Sequence, residues 1–84
     1  MPKLKEVSID LTIFGRGRSR VRVYRMVFDG PRGGRLSLNV IADTAASAKS
    51  KISRKLRLGK SRFTATLIIE KGQFMPRGFS AARL

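Results

Sequence analysis

The sequence predicts a small α+β domain. Four strands in the order β-β-β-α-β would form a mainly antiparallel four-stranded sheet with one helix packed on one face. Three observations carry this reading. Four stretches alternate apolar and polar residues with the period of a half-buried strand. Between the third and fourth, apolar residues recur at spacings of three and four. Gly- and Pro-rich punctuation separates several of these elements. One helix laid on one sheet face is the simplest two-layer solution for that order.

The first strand is expected over residues 4–14, with Val7, Ile9, Leu11 and Ile13 inward and Glu6, Ser8, Asp10 and Thr12 outward. Residues 15–19, GRGRS, then turn the chain, because glycine reaches positive φ without a side-chain clash. The second strand runs from Arg20 to Phe28, with Val21 and Val23 inward and Arg20, Arg22 and Tyr24 outward. Strict alternation would then put Arg25 with the valines, and Met26 and Phe28 with the arginines. Two readings resolve the conflict. A β-bulge near Tyr24–Arg25 returns Met26 and Phe28 to the core and turns Arg25 outward. Alternatively, the sheet is apolar on both faces at that end.

Residues 29–34, DGPRGG, are dense turn chemistry. The third strand, Arg35 to Ala42, points Leu36, Leu38 and Val40 inward and Arg35, Ser37 and Asn39 outward. Asp43 or Thr44 caps the helix. Ala45, Ala48, Ile52 and Leu56 make its narrow apolar stripe, and Gly59 is placed to end it in a left-handed conformation. The fourth strand, Arg62 to Lys71, turns Phe63, Ala65, Leu67 and Ile69 inward and Thr64, Thr66, Ile68 and Glu70 outward. Residues 73–84, QFMPRGFSAARL, show no sustained period. Phe74, Met75, Phe79 and Leu84 make this tail adhesive, so it either docks on the body or orders against a partner.

The chain has 84 residues, with 19 Lys and Arg against 5 Asp and Glu, a net charge of +14. Hydrophobic residues make up 42%, too many for a wholly disordered basic tail. Like charge at this density repels itself, and a polyanion relieves the repulsion. Nucleic acid is the expected partner, ahead of an anionic membrane surface.

Catalysis is not expected. There is no Cys and no His, so neither thiolate metal sites nor the usual nucleophile–base pairs can form. The carboxylates read as salt-bridge, turn and cap residues; a metal cluster of Glu6, Asp10 and Glu70 is outweighed by the excess of cations. Gly59-Lys60-Ser61 ends a helix and has Arg54 where a phosphate loop needs glycine. No cofactor or metal is expected. No apolar run reaches the roughly 20 residues of a membrane span, and residues 1–10 lack a signal-peptide core. A cytoplasmic setting is expected, on a ribosome or nucleoid, or in a virion.

Two basic clusters are the candidate contacts. Arg16, Arg18, Arg20, Arg22, Arg25, Arg32 and Arg35 form the first, with Tyr24 among them to stack on an unpaired base. Thr12, Ser37, Asn39, Thr64 and Thr66 add hydrogen-bonding groups to the same outer face. Lys49, Lys51, Arg54, Lys55, Arg57, Lys60 and Arg62 form the second, on the helix and the turn after it. No acid within residues 45–58 offsets that cationic helix.

The expectation is a non-catalytic nucleic-acid-binding domain over residues 1–72 with a C-terminal tail over 73–84. It would contact phosphates through the arginine-rich hairpin and sheet face and the basic helix, and an RNA, ribosome-type role is favoured. A DNA-binding architectural protein, or one from a phage, virus or mobile element, is the alternative. A protein-interaction or virion component, anchoring a partner or a homodimer through Phe74, Met75 and Phe79, is another.

Two stretches resemble known families. Residues 20–56, RVRVYRMVFDGPRGGRLSLNVIADTAASAKSKISRKL, resemble the arm-binding domains of phage and transposon integrases. That likeness implies a three-stranded sheet entering the DNA major groove; the strands before and after depart from it. Residues 40–71, VIADTAASAKSKISRKLRLGKSRFTATLIIEK, resemble the archaeal LX-type large-subunit ribosomal protein, with a helix, a glycine, a basic turn and a final strand. Neither resemblance assigns the chain to a family.

Overall fold

A computed structural model describes residues 9, 11–29, 33–56 and 62–84. In chain order the elements are β1 (Leu11–Ile13), β2 (Gly17–Arg18), β3 (Val23–Asp29), β4 (Arg35–Ile41), α1 (Ala45–Leu56), β5 (Phe63–Ile69), β6 (Phe74–Met75) and β7 (Ser80–Ala82). The α+β class holds, but the four-stranded antiparallel sheet does not. The main sheet has five strands in the order β1-β7-β4-β3-β5, and β2 pairs with β6 in a separate two-stranded ribbon. The sheet is mixed, because β7 runs parallel to β4 through the pair Val40–Ala82. Strands β4 and β5 flank β3, and both are antiparallel to it. They therefore run in the same direction, joined by the helix as a crossover over β3.

Strand β3 decides the two layers. It pairs with β4 in unbroken register from Val23–Ile41 to Asp29–Arg35. Tyr24, Met26 and Phe28 therefore leave one face together, while Val23, Arg25 and Val27 leave the other. The first three pack beneath the helix with Val40, Ala42, Ala48 and Ile52. Val23 packs on the opposite side with Ile69, Met75 and Ala81, flanked by Phe14, Val21, Ile41, Ile68 and Phe79. The sheet is thus apolar on both faces at the Val23 end. The irregularity lies in the partner strand: Val23 faces Ile69 and Tyr24 faces Leu67, which leaves Ile68 as an extra residue in β5.

The helix begins where Thr44 accepts a hydrogen bond from the Ser47 backbone N–H at 3.0 Å, so Thr44 and not Asp43 is its side-chain cap. Ala48 and Ile52, one turn apart, are fully buried. Arg54 and Lys55 in the last turn complement the helix dipole. The stop expected at Gly59 lies outside the described residues, as do most of residues 1–10 and the centre of the DGPRGG turn.

Other inward assignments need correction. Leu11 and Ile13 are 57% and 74% exposed. Their pairing with Ala82 and Ser80 sets them on the helix side of the sheet, but α1 packs mainly over β3 and β5, strands at the other end of the sheet order. Leu36, at the start of β4, and Leu67, on the edge strand β5, are exposed as well. The tail is built into the body. Ala81 and Ala82 are buried in β7, between β1 and β4, and Met75 is buried beneath the ribbon.

Two outcomes follow. Truncation after Gly72 removes an internal strand and should abolish the cooperative thermal transition followed by circular dichroism. Ile52→Ala should keep the fold but cost about 2–5 kcal/mol in urea unfolding.

Candidate nucleic-acid interface

Alternation along β3, β4 and β5 builds a polar array on the face away from the helix. Arg25 lies between its cross-strand partners Asn39 and Thr66. The next row on that face is Ser37, Val27 and Thr64, and the last pairs Asp29 with Arg35. Arg25, Arg35, Ser37, Thr64 and Thr66 are exposed. The sheet therefore brings together Arg25, Arg35 and most of the expected hydroxyl and amide groups. Strands β4 and β7 share one paired position and splay beyond it. An open cleft of about 330 Å³ results, lined by Arg25, Ser37, Asn39 and Ser80 among others. Asn39 spans it by donating to the Ser80 carbonyl at 3.4 Å.

The ribbon adds the arginines of GRGRS. The segment was expected to be a free hairpin turn, but residues 14–19 are pinned to the C-terminal segment. The Ser19 N–H donates to the Gln73 carbonyl at 2.8 Å, and the Gly72 N–H donates back to the Ser19 carbonyl at 2.7 Å. Ser19 is buried, its hydroxyl exchanging hydrogen bonds with the Val21 backbone. Gly17 pairs with Met75 and Arg18 with Phe74. Met75 points into the cluster around Val23. Adjacent strand residues point oppositely, so Phe74 and its partner Arg18 face solvent, away from that cluster. Arg18 also donates from Nη1 to the Gly72 carbonyl at 3.2 Å, which anchors its guanidinium. Arg16 and Arg77 flank Phe74 around a shallow depression of about 470 Å³.

Other sequence-predicted residues lie elsewhere. Tyr24, expected on the outer face, is only 8% exposed and sits under the helix. It has the same parity as Met26 and Phe28, and their burial carries it inward. Arg22 is turned to internal pairing. Its Nε donates to Glu70 Oε1 at 2.7 Å, and its Nη1 donates to the Asp43 carbonyl at 3.0 Å. Arg20 is exposed just before β3, and Arg62 just before β5. Lys49, Arg54 and Lys55 are exposed on the helix, in the layer opposite Arg25. Lys51 is partly buried, its Nζ donating to the Ile41 carbonyl at 3.2 Å. Arg32, Arg57 and Lys60 lie outside the described residues. Among the described residues, Arg25 and Arg35 on the sheet face and Lys49, Arg54 and Lys55 on the helix are thus presented on opposite layers.

Sequence reasoning assigned Phe74 to a protein contact and left it out of the basic clusters. The signal that links it to Arg18 is their strand pairing, which is not visible along the chain. Of the three tail residues expected to anchor a partner, Met75 is buried and Phe79 is partly buried against the core. Among the described residues, no helix is long and apolar enough to cross a membrane.

No family model matches the chain, and no curated protein or solved structure shows significant similarity to it.

The Arg22–Glu70 pair carries a pH signature. The hydrogen bond from Arg22, then that from the Lys71 backbone N–H, holds the Glu70 carboxyl below the usual carboxylate range. A carboxylate whose folded pKa is depressed stabilises the fold fully above its unfolded pKa, and that contribution disappears as pH falls through the folded value. Glu70→Gln should therefore lower Tm at neutral pH and flatten the decline on acidification. The two Tm curves should converge at the acid end.

Proposed function

We propose that this chain is a non-catalytic nucleic-acid-binding protein that grips phosphates with the arginine-bearing side of its sheet and ribbon. The observation that carries the reading is a row of exposed arginines, Arg25 and Arg35 on one sheet face and Arg16 and Arg18 on the ribbon. Arg25 and Arg35 share their face with exposed Ser37, Thr64 and Thr66, in a chain of net charge +14. Guanidinium forks match phosphate oxygens two at a time, and the short hydroxyls can accept or donate alongside them. RNA is the favoured polymer. Its loops and bulges offer irregular phosphates and unpaired bases to a broad surface, where a duplex groove would call for a protruding element. The second basic surface, Lys49, Arg54 and Lys55 on the helix, faces away from the first. A small protein with two opposed cationic faces suits a bridging place within a larger RNA–protein assembly, a ribosome-type role in the cytoplasm.

Salt dependence and polymer competition test this. Binding to structured RNA should weaken by roughly 0.7–0.9 log units per phosphate contact for each tenfold rise in salt. Replacing Arg16, Arg18 and Arg25 together by Ala should flatten that slope by about 2–3. Arg22→Ala should lower Tm while leaving the slope unchanged, because its guanidinium is already engaged with Glu70 and Asp43. Salt-insensitive binding would overturn the proposal. Preference for duplex DNA in competition would retain the phosphate-gripping surface and replace RNA as its partner.

A further inference from the structure

Phe74 is 58% exposed, although its sequence neighbour Met75 is buried. Strand geometry forces this opposition, but it does not require an aromatic ring at the outward position. A polar residue would satisfy the ribbon equally well. The surroundings of the ring narrow what could cover it. Arg18 stands directly across the ribbon, and Arg16, Pro76 and Arg77 line the depression beside the ring. Among the described residues, no carboxylate lines it. An apolar ring with two guanidinium groups lining its depression and a third arginine at the facing strand position is poorly matched to an ordinary apolar protein surface, which would leave those cations desolvated. It is well matched to a flat, uncharged ring covalently tied to a phosphate.

We infer that Phe74 is a stacking platform for an unpaired nucleobase, with Arg16, Arg18 and Arg77 holding the flanking phosphates; this rests on the nucleic-acid reading above. The base lies over the exposed face of the phenyl ring. Arg18 is oriented for the task by its hydrogen bond to the Gly72 carbonyl, and a guanidinium has five donors, so others stay available. Stacking of this kind tolerates every base, so the site favours single strands over duplexes without reading sequence. It takes the role that the sequence alone assigned to Tyr24.

The chain contains no Trp, so Phe74→Trp introduces a single indole reporter at this site. Titration with a single-stranded oligonucleotide should quench its emission, and affinity should equal or exceed that of the wild type. Phe74→Ala should lower single-strand affinity roughly 5- to 150-fold while leaving Tm, duplex affinity and salt slope unchanged. Phe74→Leu keeps apolar bulk but has no ring face, and should lose affinity like the Ala variant. Full affinity in Phe74→Leu, or a change of less than twofold in Phe74→Ala, overturns the stacking site. If salt-dependent binding persists in those variants, the phosphate-gripping surface stands without it. Absence of any binding by the wild type overturns both.

Discussion

Val23 and Tyr24 are consecutive residues of one extended strand, so their side chains must leave it in opposite directions, yet both are buried. A sheet satisfies that only if something covers each face at that point. On one side the cover is the helix, through Ala48 and Ile52. On the other the chain has no second helix among the described residues, and the cover is assembled from Met75, Ala81, Phe14 and Phe79. Two ends of the chain, distant in sequence, are thereby drawn onto the same patch. The extra residue Ile68 falls at the same level, where the edge strand β5 adjusts to a sheet buried on both faces.

The arrangement of charge follows from that patch. Met75 anchors the ribbon, and the ribbon lifts Arg18 and Phe74 to its outer surface. At the crossing the Gly72 N–H donates to the Ser19 carbonyl and the Ser19 N–H to the Gln73 carbonyl, which converts a glycine-rich basic loop into a fixed feature. Arg22, a few residues further on, meets Glu70 as β5 ends and the Asp43 carbonyl as the helix begins. It ties three segments at the boundary between the layers. An arginine at the seam of a fold serves structure, whereas one beyond the cover serves the surface. The GRGRSRVRVYR run contains both kinds within a few positions.

What could be read from the residues depended on element length. β3, β4, α1 and β5 each run seven residues or more, enough to display a period, and their positions are close to those expected. Thr64, Thr66, Ser37 and Arg35 point outward as their parity implies. β6 and β7 have two and three residues, too few to alternate visibly, so the tail carried no strand signal. Leu11 and Ile13 show a different limit. Periodicity identifies which residues share a face, but not whether anything covers that face. Tyr24 was ambiguous by chemistry, since its ring suits a core and its hydroxyl suits a surface. The parity it shares with Met26 and Phe28 was the better guide. Phe74 could not be placed from the sequence, because its meaning comes from Arg18, which is 56 positions away along the chain and directly opposite in space.

The two basic surfaces differ in kind as well as in place. The cations identified on the sheet-and-ribbon side, Arg16, Arg18, Arg25, Arg35 and Arg77, are all arginine, while the helix carries Lys49, Lys51 and Lys55 beside a single described arginine, Arg54. An ammonium is a point charge that draws in a phosphate from any direction. A guanidinium is a plane, with bidentate geometry at its edge and a face that stacks. The arginine side also holds the fixed backbone, the hydroxyl rows and the exposed phenyl ring. In the proposed reading, the helix supplies long-range attraction, and the sheet side converts it into a defined pose. That division matches the sheet and ribbon with the residue type whose interactions depend most on angle. A lysine in place of Arg18 would keep the charge and lose the orientation set at the Gly72 carbonyl.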